Sequence, residues 1–422
     1  MQHKSVIWII SIIFLFIHAG VLHADIRTQW DDVEVVVSGE SEFQGVAVDP
    51  FFTSLDADDE WNYYLVGMIK LALDVRFSEY TGIYFSMKNA KTTTDKTFGD
   101  GIVRAKGTIL GTDSRINMNI DEAFFALERL FLPELSVRAG LMHIKIGLDT
   151  SVEDWFDGHG QLFMNSEYGR IDENLETEFY PAGVSGIYST GKGFFIRGCW
   201  FFMRKDIDDY NNDIQFYFVD GEYSPSIFST FISGISSWQE RGNYFQSYWF
   251  GSKLAIDSEY STYAFGIYHA GDDVSSRAYY AGVRYITSNK IYFIDFSFWY
   301  LDGNNPSSVT NENFFNTASL TTTMILDDAN IGVGLNKNYT AVKIVFGFRF
   351  SYSSRLLIIA GYYDRIFSSS GPKPGNEVDM IYRMNFGSRF LVDLKAGYLF
   401  DTEIVPSNAD AWMFAICVKA EY

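Results

Sequence analysis

The chain is poor in cysteine, histidine and positive charge, and beyond its first residues it lacks any long apolar run. Each shortage removes a class of function. Two cysteines in 422 residues, Cys199 and Cys417, cannot build a disulfide framework. They sit on strands far apart in sequence, which a barrel of many strands would hold apart. Of the six histidines, His3, His18 and His23 fall within the first 25 residues, which leaves His143, His159 and His269. His159, with Asp157 and Asp154, forms the sole His–carboxylate cluster, and a loop cluster of this kind is more often solvated or cation-bound than catalytic. An enzyme, such as a barrel hydrolase, is therefore not expected. The 33 Lys and Arg face 53 Asp and Glu, a net charge of −20, which argues against nucleic acid or an anionic lipid surface as partner. No Gly-rich loop follows a strand and opens a helix, so nothing suggests a nucleotide site, and no cofactor is expected. After the N-terminal segment no stretch holds roughly 18 apolar residues free of charge, so no transmembrane helix is expected.

The N-terminus reads MQHKSVIWIISIIFLFIHAGVLHAD. Lys4 supplies a basic start, Val6 to Ile17 an apolar run, and small residues follow. This is the pattern of a secretory signal peptide over residues 1–24, cut near Ala24, with 25–422 as one mature domain. No cysteine lies near the cut, so a lipid-anchored lipoprotein is not expected.

Aromatic residues are abundant, at 18%, and they follow parity. In the last stretch, AWMFAICVKAEY, the even positions Trp412, Phe414, Ile416, Val418, Ala420 and Tyr422 are apolar, while the odd ones are small, soft or charged. A period of two marks a strand whose faces see different surroundings. Trp412 and Tyr422 lie about 25 Å apart along the normal of a membrane crossed at a tilt near 40°, the height of a lipid-facing band with a girdle residue at each rim. The rule repeats in AVKIVFGFRF (341–350), VDLKAGYLF (392–400), VDMIYRMNF (378–386), GFFIRGCWFF (193–202) and RAYYAGVRYIT (277–287). A soluble sheet with one wet face alternates in the same way.

The connections discriminate better. About eighteen candidate strands lie near 33–48, 62–76, 82–89, 115–128, 135–148, 183–189, 193–203, 214–223, 226–237, 244–257, 262–270, 277–287, 291–301, 340–351, 355–367, 378–387, 390–400 and 411–422. Their links alternate between short (SEYTG, FLPE, STGKG, GSR) and long or acidic (90–114, 149–182, 302–339), the sorting of an outer-membrane barrel. The expected fold is therefore an all-β transmembrane antiparallel barrel of 18 strands, or 16 if 183–189 or 226–237 is not a strand. Residues 25–32 form a short lead. Even strand counts put both termini on the periplasmic side.

A barrel of this size is too wide for side chains to fill. Inward positions are then expected to be polar. The polar faces nominate Arg138, Lys145, Arg197, Lys253, Arg284, Asp295, Lys343, Arg349, Asp379, Arg383, Asp393 and Lys395 as pore-lining, with Asp257, Lys419 and Glu421 beside them. The wall reads as mildly basic and the loops as acidic, which would draw anions or polar neutral solutes. DIDDYNND (206–213) offers oxygens suited to a structural Ca²⁺ in an outer loop. Such loops sit where divalent ions bridge lipopolysaccharide.

The stretch DEAFFALERLFLPELSVRAGLMHIKIGLD (121–149) is the most distinctive. It resembles a hairpin of the phosphate-selective porin O/P type and its relatives among sugar and alginate porins, over roughly residues 120–150. The resemblance implies a homotrimeric channel whose third long loop folds inward and narrows the pore. Here that loop is 149–182, with Glu153, Asp154, Trp155, Asp157, His159 and Arg170 as constriction candidates. Phosphate-selective members present dense lysine or arginine ladders, and this loop is acidic instead. The aromatic and acidic mix EDWFDGHGQLF also suits the faces and hydroxyls of sugars. If Arg138 and Lys145 both face the lumen, their difference in parity requires a bulge near Gly140.

The expected function is passive diffusion of small hydrophilic solutes, with anions and oligosaccharides as the candidates, across the outer membrane of a Gram-negative-type bacterium. The alternatives are a plugged adhesive or structural barrel and a scaffold sheath around a partner protein. The mature chain is expected to stay with the detergent-solubilised membrane fraction; recovery of folded protein from the soluble fraction without detergent would overturn the barrel.

Overall fold

The computed structural model describes residues 26–30, 33–49, 62–89, 102–104, 118–148, 164–165, 182–203, 214–226, 229–240, 243–271, 275–303, 326, 338–366, 373–387, 389–404 and 410–421. Eighteen antiparallel strands form the wall. In chain order they are β1 (Val33–Asp49), β2 (Asn62–Ser78), β3 (Thr81–Asn89), β4 (Met118–Leu127), β5 (Leu135–Leu141) and β6 (Ala182–Ser189). Then come β7 (Phe194–Met203), β8 (Ile214–Ser226), β9 (Ser229–Glu240), β10 (Asn243–Ala255), β11 (Tyr260–Gly271) and β12 (Ser275–Ile286). The last six are β13 (Tyr292–Leu301), β14 (Tyr339–Ser351), β15 (Ser354–Arg365), β16 (Gly375–Phe386), β17 (Phe390–Phe400) and β18 (Ala411–Glu421). Each pairs with its sequence neighbours, and β18 closes on β1, with Glu421 opposite Glu40 and Trp412 opposite Asp49. Closure gives every wall strand two partners, so no open edge faces the surroundings.

The stagger of the closing seam leaves Val33–Gly39 of β1 beyond the end of β18. The lead, expected only as a connector, supplies a strand there: Ile26–Trp30 pairs with Val33–Val37. A three-residue strand, Ile102–Arg104, pairs in the same way with Tyr64–Val66 of β2, beyond the part of β2 that β3 covers. Both satisfy backbone groups that the stagger would otherwise leave without partners.

Parity decides which side chains face outward. Along β14, Val342, Phe346 and Phe350 are exposed while Ala341, Lys343 and Val345 are buried. Along β18, Trp412 and Phe414 are exposed and Ala411, Met413, Ala415 and Cys417 are buried. Aromatic pairs band the outer face at both ends. Tyr279 stacks on Tyr300 at 4.6 Å and Tyr398 on Trp412 at 4.2 Å near the loop end. Tyr260 lies 4.7 Å from Tyr285, and Phe350 6.0 Å from Tyr382, near the turn end. Tyr422, expected in the lower girdle, lies outside the described residues. Cys199 and Cys417 are both free thiols.

Three expectations are corrected. The links do not sort strictly: two of those at the loop end, 241–242 and 272–274, are as short as the turns opposite. Asp257 is a turn residue rather than a lumen residue. Its Oδ1 accepts hydrogen bonds from the Glu259 and Tyr260 amides, at 2.7 and 2.7 Å. The strand expected over 135–148 leaves the wall at Leu141, and the reason lies at Gly140. There φ is +135°, and a Cβ would sit 2.2 Å from the Ala123 carbonyl oxygen. Only glycine fits such a backbone at such an approach. Gly140→Ala is expected to destabilise the barrel by about 1–3 kcal/mol, read as a lower urea midpoint of tryptophan fluorescence in lipid vesicles. Gly186→Ala, where a Cβ meets nothing within 4 Å, should leave that midpoint nearly unchanged.

Candidate functional site: the barrel interior

Strand register arranges the inward side chains in tiers. Near the turn end, Arg349 of β14 lies opposite Arg355 of β15, Arg355 opposite Arg383 of β16, and Arg383 opposite Asp393 of β17. Like charges facing each other across strands repel, so this row of guanidinium groups gathers positive charge on the inner face of the wall. Asp393 balances one of them through a two-pronged pair, Nε–Oδ1 at 2.7 Å and Nη2–Oδ2 at 2.8 Å.

Other inward positions hold ion pairs between adjacent strands, some as close to the turns: Arg284 lies two residues from the turn end of β12 and Asp295 three from that of β13. Arg284 Nε donates to Asp295 Oδ2 at 2.9 Å, and Tyr263 Oη donates to Asp295 Oδ1 at 2.8 Å. The Tyr263 ring crosses Gly282, where a Cβ would lie 2.4 Å from it. Arg197 grips Asp220 at 2.9 and 2.5 Å, its guanidinium 4.8 Å from the Phe218 ring. Lys343 Nζ lies 4.4 Å from the Trp299 ring and 5.4 Å from that of Tyr363, as a cation over two aromatic faces.

Toward the loop end the interior is heavily aromatic, with Ser247, His269 and Ser276 buried among the rings, which corrects the expectation that inward positions are polar throughout. Phe201, Phe216, Trp238, Trp249, Tyr280 and Trp299 are buried there. Residues 142–148 pack among them, with Met142, Ile144, Ile146 and Leu148 no more than 5% exposed, together with Leu326. Glu377, fully buried on β16, accepts the Leu326 amide at 2.9 Å. Segments entering from the loop end thus give the inward aromatics apolar partners. Outside the wall, Lys373 Nζ donates to Asp401 at 2.6 Å, which ties two loop-end links together and holds the Asp401 carboxyl below its usual range.

The structure places eleven of the twelve nominated wall residues on inward positions of wall strands. Arg138 lies opposite buried Ser185, 5.4 Å from the Phe124 ring. Lys253 lies between Thr230 and Tyr263, Asp379 between Ile359 and Gly397, and Lys395 between Ile381 and Ala415. Lys145 is the exception. It follows the wall strand's end at Leu141 and pairs with Asn165 in a separate two-stranded sheet. The inward segment therefore begins at residue 142, ahead of the expected 149–182. Glu153, Asp154, Trp155, Asp157, His159 and Arg170, and the 206–213 oxygens, lie outside the described residues.

Arg355, Lys70, Lys88, Asp121 and Glu122 escaped the sequence reading. The parity of Arg349 carried across the tight turn would have found Arg355. Asp121 was hidden by a bulge: Ser86 faces Glu122 and Met87 faces Ile120, so Asp121 is an extra residue between them. Ligand atoms of Asp121, Glu122 and His143 come within 4.8 Å of one another, a divalent-ion set by type. The Asp121 carboxylate, however, already receives Lys70 Nζ at 2.7 Å, Lys88 Nζ at 2.6 Å and His143 Nε2 at 2.9 Å. Those donors supply the positive charge that a metal would bring.

No protein-family model matches the chain, and no curated protein matches it. Solved structures do. The Pseudomonas aeruginosa protein OpdQ is similar over 92% of this chain and 97% of its own, with a TM-score of 0.58 and 12% identity. Pseudomonas aeruginosa OccK8 (OprE) gives 0.57 and 11%, covering 92% and 98%. Acinetobacter baumannii OccAB4 gives 0.54 and 10%, covering 92% and 98%. At these identities the likeness is one of fold.

Breaking the Arg284–Asp295 pair from one side leaves a buried charge without its partner. Arg284→Met is expected to cost about 3–5 kcal/mol, and Arg284→Met with Asp295→Leu much less, measured as urea midpoints of the vesicle-bound protein.

Proposed function

We propose that the chain is an outer-membrane channel of a Gram-negative-type bacterium that passes small hydrophilic solutes down their gradient, with a preference for anions. The Arg349–Arg355–Arg383 row carries this reading. Three guanidinium groups in register beside one carboxylate, inside a low-dielectric wall, focus a positive potential on whatever passes. The apolar outer face between aromatic bands supports a lipid setting, and so does the likeness in fold to the Pseudomonas aeruginosa outer membrane protein opdK, with a TM-score of 0.53 and 10% identity. Selectivity for phosphate and assembly into trimers rest on the resemblance of residues 120–150 alone; native mass in detergent reads the second, and contact with lipopolysaccharide follows from the outer-membrane setting.

A second reading, a plugged barrel, is favoured by the apolar packing of 142–148 and Leu326 at the loop end. Bilayer conductance separates the two, because a sealed plug is silent. For the channel, the reversal potential in a KCl gradient should show anion preference. Arg349→Gln with Arg355→Gln should lower the anion-to-cation permeability ratio about twofold or more; an unchanged ratio would remove the arginine row from permeation.

A further inference from the structure

Residues 142–148 do more than line the interior. The segment leaves the wall after β5 beside a buried cluster on β2, β3 and β4, and its far end reaches β12. At the near end, His143 Nε2 lies 2.9 Å from Asp121 Oδ1 and the His143 amide donates to Glu122 Oε1 at 3.2 Å. At the far end, Tyr280 Oη donates to the Leu148 carbonyl at 2.9 Å. β4 and β12 are eight strands apart in a ring of eighteen, which puts them on nearly opposite walls. Seven residues reach roughly 25 Å at most when extended, and the segment runs between these walls, paired midway through Lys145 and Ile146 with Asn165 and Met164.

Two glycines have positive φ, Gly140 at +135° just before the segment and Gly147 at +144° near its far end. These are backbone positions at which the segment can swing. Between them, alternate residues Met142, Ile144 and Ile146 bury their side chains against inward aromatics.

We infer that residues 142–148 are a latched crossbar, and that releasing its His143 end from Asp121 and Glu122 opens the channel. The inference rests on the channel reading above. Its chemistry follows from the cluster. Asp121 keeps Lys70 Nζ at 2.7 Å, Lys88 Nζ at 2.6 Å and Ser86 Oγ at 3.3 Å when His143 departs. The buried carboxylate therefore never loses its counter-charge, and release leaves no bare ion inside the wall. Glu122 remains within 3.8 Å of Lys70. The far contact is one neutral hydroxyl–carbonyl bond. Burial of the apolar side chains biases the bar toward closure, and the polar contacts at its ends fix where it closes. A structural pin would have used its only counter-ion; this cluster holds donors in reserve.

The test is single-channel recording in planar bilayers of the full mature chain, comparing wild type, His143→Ala and Tyr280→Phe, with folding checked by heat-modifiable migration in SDS gels. Each variant should raise mean conductance or open fraction about twofold or more, and the double variant further. Tyr280→Phe removes one hydroxyl from a ring that stays stacked on Trp299 at 4.7 Å, so it keeps the test available if His143→Ala does not fold. A conducting wild type exceeded by neither folded variant overturns the crossbar and leaves the channel standing. A silent wild type with conducting variants supports both. Silence of all three overturns the channel reading itself.

Discussion

Backbone hydrogen bonding closed into a ring is the constraint on which the rest of this molecule depends. A strand in an apolar medium cannot leave its N–H and C=O groups to water. Eighteen strands solve this only because β18 finds β1, with ten residues of each in register from Glu40–Glu421 to Asp49–Trp412. The stagger that closure demands leaves parts of β1 and β2 beyond their neighbours, and the short strands Ile26–Trp30 and Ile102–Arg104 occupy those stretches. Two segments that look like connectors are thus part of the wall's hydrogen-bond accounting.

Once the ring is closed, parity becomes a division of environments. Outward positions carry the exposed apolar side chains; inward residues meet one another. Inside, arginines face each other and ion pairs such as Arg284–Asp295 form near the tight turns, while many of the buried aromatics lie toward the long links. The apolar tier exists because chain from the loop end, residues 142–148 and Leu326, enters and supplies surface for it.

Much of the wall was legible in the sequence. All eighteen strands were placed, since each repeats a period of two between turns, and segments such as 341–350 put charge on one face and aromatics on the other. Eleven of the twelve nominated wall residues fall on inward positions because their neighbours' parity was plain. Lys145 did not, for a three-dimensional reason. The run LSVRAGLMHIKIGL keeps alternating past Gly140, and nothing in alternation distinguishes a strand that stays in the wall from one that turns into the lumen. The close approach of Gly140 to Ala123 decides it. The Asp121 cluster was equally hidden, because a bulge turns two consecutive acids to the same side and breaks the rule that found the rest.

By itself the sequence determined where the strands run, with their number narrowed to eighteen or sixteen, and which face of each is apolar, since these follow from local periodicity and chain length. Tertiary structure decided the rest. Which charges neutralise each other depends on register between strands, as with Arg383 and Asp393, which lie ten residues apart in sequence yet directly opposite in the sheet. Whether the interior is wet or packed depends on which segments fold back into it, as when Leu148 meets Tyr280, 132 residues further along the chain. Such contacts arise only after the ring has closed, when residues with no local relationship share one enclosed space.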